Sequence, residues 1–245
     1  MRTKPFQRFV ARLAEYESDL EIADVLTNTF INKVQNTDTT ICAHLGKDPA
    51  DYPKLASRTN TKQSRKVIGI HLKKTLFGSS LKDFYEDFSE FLQKSIEHAA
   101  LKGVDYPRLL AGSGVDMKMV DVLRSGSWEA MIAKMSEQLF RSLENERSTI
   151  TLIRKFNDKL NLGLDQQVID DAMPYLDARH ILVHRDGKVD DYYSEKYPDI
   201  RKDNGKIKVD FQFITEARNK IHDLARHIND RLLAEDLCPQ SQIVN

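Results

Sequence analysis

Residues 178–188, ARHILVHRDGK, place Arg179, His180, His184 and Arg185 within seven positions at the end of an otherwise apolar stretch. Histidine, with an unperturbed pKa of about 6.5, takes and gives protons near neutral pH. Arginine offers a fixed cationic fork to a phosphate whose charge grows in a transition state. Together these groups suit phosphodiester cleavage. In RNA the neighbouring 2′-hydroxyl is the nucleophile, so such a site needs neither a serine nor a metal. A plainer reading also exists, because cations in a last helical turn complement the helix dipole. That accounts for Arg185 but does not ask for Arg179, His180 and His184 together.

On a helix turning about 100° per residue, Arg179 and His184 lie about 140° apart. One straight helix cannot aim both at the same phosphate. His180 and His184, four apart, share a face, with Asp177 on roughly the same side. Either the last turn is distorted near Gly187, or the same helix of a two-fold mate completes a shared cleft. As a zinc pair, His180 and His184 lack a glutamate after the first histidine and a third ligand beyond Asp190 or Asp191. No metal and no cofactor is expected. His44, His98, His222 and His227 read as solvated or packing histidines.

The elements that must hold this cluster follow from apolar periodicity. Phe6, Phe9, Leu13, Tyr16 and Leu20, continued by Ala23, Leu26, Phe30 and Val34, predict a helix over about 5–34. Turn-forming and basic residues over 35–80 predict an inserted loop in which only KVIGIHLKKTLF is ordered. Ser80 is expected to cap a second helix with the stripe Phe84, Phe88, Phe91, Leu92, Ile96 and Ala99 before Gly103. Asp116 and Ser127 are expected to cap two more, the latter burying Trp128, Met131, Ile132, Met135 and Leu139. Ile150, Ile153, Phe156 and Leu160 mark the next. A helix kinked at Pro174 and stopped by Gly187 carries the cluster. GKIKVDFQF alternates as a short strand or lead-in, and a last helix runs through Ile221, Leu224 and Ile228 to a frayed tail, 238–245. The expected class is an all-α antiparallel bundle with at most a short strand, one domain over 1–245.

With 245 residues, 40% of them hydrophobic, the chain is long enough to bury a core. Its 37 basic and 37 acidic residues cancel, so bulk charge announces neither a nucleic-acid nor a membrane partner. Locally the balance fails. Between Tyr52 and Lys82 stand Lys54, Arg58, Lys62, Arg65, Lys66, Lys73, Lys74 and Lys82 without one acid. Lys62, Arg65, Lys66, Lys73 and Lys74, joined by Arg185, are the expected phosphate contacts for RNA. The lone cysteines Cys42 and Cys238 give no disulfide framework. No apolar run reaches the length of a membrane span. A cytoplasmic protein is expected.

RHILVH resembles the R-x(4-6)-H motif of HEPN domains, the higher eukaryotes and prokaryotes nucleotide-binding family. The flanks are similar too: a polar residue after the arginine, apolar residues before the histidine, then a turn with glycine and Val189-Asp190. The helix of residues 146–165 resembles the one that precedes that motif. The resemblance covers about residues 145–230. It implies a HEPN-like bundle that dimerises through the motif helices and, in active members, a metal-independent endoribonuclease of bacterial toxin or defence type. Arg179 would hold the phosphate, His184 would transfer protons, and His180 would take the supporting position, where relatives commonly carry asparagine or aspartate. A cognate antitoxin or other defence-system protein is an expected partner. The alternative is a catalytically silent scaffold that binds a partner protein or nucleotide.

Overall fold

The computed structural model describes residues 1–146 and 148–244. A two-residue strand β1 (Arg2–Thr3) leads into α1 (Lys4–Asn32). Two short helices, α2 (Ile41–His44) and α3 (Pro53–Ala56), then precede α4 (Lys62–Lys102), of 41 residues. Short helices α5 (Tyr106–Leu110) and α6 (Met119–Arg124) lead to α7 (Trp128–Glu144), α8 (Thr149–Leu160), α9 (Gln166–His184) and α10 (Asp191–Lys196). A hairpin of β2 (Lys202–Asp203) and β3 (Lys206–Ile207) precedes α11 (Phe211–Ala234), and β4 (Ile243–Val244) closes the chain. The fold is an all-α bundle with two small antiparallel sheets. Among the described residues no helix is long and apolar enough to cross a membrane.

The helix starts have a common chemical cause. Thr3, Ser127, Ser148, Asp165, Asp190 and Asp210 each stand in extended backbone and accept a hydrogen bond from an amide of the first turn, satisfying donors that a helix leaves orphaned. Asp210 decides the fate of the alternating segment: its carboxylate accepts from the Phe213 amide, 3.0 Å away, so Phe211 opens α11 rather than extending a strand. α4 is the central helix, packed on α1, α7, α9 and α11. Phe84, Phe88 and Phe91 are buried on it, with the Phe91 and Phe9 rings stacked at 6.1 Å. The stripe on α7 is only partly core: Ile132, Met135 and Leu139 are buried, whereas Trp128 stands 51% exposed at the helix start, edge-on to Tyr106.

Three boundaries differ from the sequence expectation, and at the first of them α6 starts behind Lys118 with no side-chain cap, rather than behind Asp116. The stretch 62–80 is helical, capped by Thr61 rather than Ser80. Its partner is the second half of α1, and the two form an antiparallel arm closed at the tip by α2 and α3. Gly69 makes that approach close: a Cβ there would stand 2.7 Å from Ile31 Cδ1. Replacing Gly69 by leucine is expected to destabilise the protein by about 2 kcal/mol, the ordinary cost of overpacking, with amide exchange in the arm rising first. Unchanged exchange and melting would show that the arm does not need the close contact. The tail is also ordered. β4 pairs with β1 through Thr3↔Ile243, and Cys238 is 2% exposed beside His98. Burial of Cys238 and a backbone ladder to the first residues hold a segment whose own composition carries no period.

Candidate functional site

α9 delivers the cluster at its C-terminal end. The helix is reversed by a turn in which Gly187, at φ +77°, donates its amide to the Ile181 carbonyl at 3.1 Å. A Cβ at Gly187 would meet Leu182 and Lys206 only at ordinary contact distance, so it is the positive φ that favours glycine there. The β2–β3 hairpin fixes this turn from outside, because Ile207 donates to the Gly187 carbonyl at 2.9 Å and Val189 to that of Gly205. Asp190 then caps α10, accepting from the Tyr193 amide at 2.9 Å, and also takes the Arg185 guanidinium. From α10, Tyr193 donates to the carbonyl of Pro174, which lies inside α9. Tyr197 donates to Asp177 at 2.6 Å, and Lys196 pairs with the same carboxylate.

The structure brings His180 and His184 together and sends Arg179 elsewhere. The two imidazoles lie on the surface with ring centroids 4.7 Å apart. Arg179 turns into the bundle: its guanidinium lies 4.7 Å above the Tyr85 ring, close to Glu144, and its buried Nε has no acceptor among the described residues. Within one chain, Arg179 and His184 therefore do not face one point, as their angular separation requires. Asp177 does not serve His180 as a partner, since α10 holds it.

A cleft of about 310 Å³ opens between the start of α8, the end of α9, and α10. Arg179, His180, Arg185 and Lys196 line it, with Glu144, Asp177 and Asp190 as counter-charges. His184 lies outside that lining, one turn further on. Desolvation pushes the His180 pKa down, and the neighbouring His184, Arg185 and Arg179 push it further in the same direction. His180 is thus a neutral imidazole at neutral pH.

The expected phosphate contacts divide. Lys62 and Lys66 are exposed and form no ion pair among the described residues. Lys73 is bonded to Asp24 at 2.6 Å and Asn28 at 2.7 Å on α1. Lys74 faces Asp186 at 3.9 Å, which ties the arm to the turn after His184. Arg65 is a correction. It is 1% exposed and binds the Val34 carbonyl and the Asn60 side chain, each at 2.6 Å, so it is the internal tie of the arm rather than a surface cation. Carbonyls left over after α1 need a donor more than the surface needs another charge.

Tyr85, Glu144 and the tyrosines of α10 are site residues that sequence spacing did not single out. Tyr85 and Glu144 come from helices distant in sequence, so no local pattern reports them. The α10 group had a local signal, an aspartate cap followed by DYYSEKY. Comparison with protein-family models, curated proteins and solved structures finds no match to this chain.

Proposed function

We propose that this protein is a metal-independent endoribonuclease of HEPN type, acting as a toxin or defence effector, in which the end of α9 from two protomers forms one RNA cleft. The observation that carries the reading is the exposed His180–His184 pair, flanked by Arg179 and Arg185 and free of any structural hydrogen bond among the described residues. The chemistry follows from the residues. The 2′-hydroxyl attacks the adjacent phosphorus and the 5′-oxygen leaves. His184 carries the transferred proton, neutral His180 supports its ring, and arginine offsets the charge gathered on the phosphate. Lys62, Lys66 and Lys74 extend the contact along the RNA backbone.

Because Arg179 and His184 diverge within a chain, the reading requires the mate. Val183, 40% exposed between the histidines on the same helix end, offers apolar surface for that contact. The test is RNA cleavage by the purified chain in EDTA. Cleavage that persists and leaves a 2′,3′-cyclic phosphate is expected, from a protein that light scattering shows to be dimeric. Strict magnesium dependence, or a fully active monomer, would overturn the mechanism. One observation favours a second reading, a silent scaffold: Arg179 is already engaged by Tyr85 and Glu144. Wild-type protein that binds RNA or a partner protein without cutting is the result that reading expects.

A further inference from the structure

A second concave site lies on the other side of α8, between α5, α7 and α8, with a volume of about 360 Å³. Its wall includes Lys159, which is only 7% exposed. The ammonium donates to the carbonyls of Leu109 and Ala111, both at 2.8 Å, which uses two of its three N–H groups. Arg108 reaches back across the site, its Nε donating to the Lys159 carbonyl at 3.1 Å. Each cation thus closes the C-terminal end of the other's helix, and the terminal nitrogens of Arg108 have no acceptor among the described residues.

Neither Arg108 nor Lys159 has a carboxylate at ion-pair distance among the described residues, although the other cation of the wall, Lys155, is held by Glu146. A buried cation without a counter-charge is costly. Burial, with Lys155 nearby, also pushes the Lys159 pKa down. The remaining carboxylate of the wall, Asp158, accepts from the neighbouring Asn157 amide. Asp158 keeps its charge in that bond, so Arg108 and Lys159 leave one excess positive charge at this concavity. The chain over it turns through Gly112 and Gly114, at φ +64° and +62°, and presents no side chain at Gly112. Ser142 contributes a hydroxyl whose own proton goes to the Leu139 carbonyl, and Leu143 and Ala111 supply an apolar surface.

We infer that this pocket binds a small phosphate monoester, its phosphate oxygens accepting from Arg108 and Lys159 and its organic part lying against Ala111 and Leu143. The match is one of charge and donors: the excess positive charge favours an anion, and charge-assisted hydrogen bonds to phosphate oxygens use N–H groups of Arg108 and Lys159 that have no acceptor among the described residues. The site is separate from the histidine pair and stands or falls independently of the ribonuclease reading.

The test is calorimetric titration of the full-length chain with inorganic phosphate at constant ionic strength, with chloride as the reference, followed by adenosine 5′-monophosphate and glycerol 3-phosphate. Saturable binding of phosphate is expected, tighter for an ester with an apolar part, and weakened about tenfold or more by Arg108→Gln or Lys159→Gln, the usual cost of losing one hydrogen bond to a charged group. Lys155→Gln should weaken it less, since Glu146 already holds that side chain. Lys159 also caps carbonyls; if Lys159→Gln does not fold, Arg108→Gln, on a half-buried residue, decides. Tighter binding of inorganic phosphate than of adenosine 5′-monophosphate would reject the apolar subsite. No heat beyond that of chloride, or phosphate binding unchanged in Arg108→Gln, overturns the proposal.

Discussion

Replacing His184 by alanine is expected to lower RNA cleavage by about two to four orders of magnitude, the usual contribution of a positioned proton-transfer group. The fold should not notice. His184 is exposed and its imidazole makes no hydrogen bond among the described residues, so thermal stability should move by no more than about 0.5 kcal/mol. The pH profile adds a sign. His180 is held below the ordinary histidine range, and its supporting role uses the neutral ring. Protonation of His180 should therefore begin to cost cleavage only below about pH 6.5, the unperturbed value, as pH drops through its depressed pKa. In His180→Asn, which keeps a polar side chain without a titrating ring, that component of the acid limb should shift or disappear while cleavage remains. Activity of His184→Ala equal to wild type would remove the histidine pair from the mechanism. Mixed protomers carrying Arg179→Ala and His184→Ala separately should recover part of the activity if the cleft is shared, because one of the two sites in the hybrid is then intact.

The second large effect concerns stability. Arg65→Ala is expected to cost about 3–5 kcal/mol, because several buried acceptors lose a charged donor at about 1–3 kcal/mol each. The side chain satisfies Val34, Gln35, Asn36 and Asn60 at once, and Asn60, itself fully buried, returns a bond to the Gln35 carbonyl at 3.0 Å. Removing it strands these acceptors and opens a cavity where α1 ends. The segment 33–61 should lose amide-exchange protection before the rest of the bundle. Lys62→Ala and Lys66→Ala, on exposed residues three before it and one after it, should leave stability within about 0.5 kcal/mol while weakening RNA binding in low salt. Equal, small stability effects for all three substitutions would show that the arm does not depend on its arginine.

These expectations show where sequence suffices. Periodicity at helical spacing places α1 and the phenylalanine stripe of α4. It also places α8, α9 and α11, and Gly187 marks the turn after the histidines. Each of these signals is local: an apolar face repeats every three or four residues, a small polar side chain caps the start, and a glycine takes positive φ. The i,i+4 relation of His180 and His184 is local for the same reason, and the rings are neighbours in the structure.

What crosses between distant segments was decided by tertiary packing. Residues 62–80 look like a loop because glycine and lysine break their apolar period. They are helical because α1 supplies a face against which Gly69 packs, and Phe77 is buried beside Phe211 of α11. Charge likewise does not reveal its destination from sequence. Arg65 and Lys66 are adjacent and both cationic, yet one is buried against carbonyls left over after α1 and the other faces solvent. The same holds for Arg179, whose place over Tyr85 depends on α4 crossing α9. Residue type and spacing determine which chemistry a helix end can offer. Only the packing of helices remote in sequence determines which of those groups remain available for it, because a buried cation goes first to the acceptors that folding would otherwise leave unsatisfied.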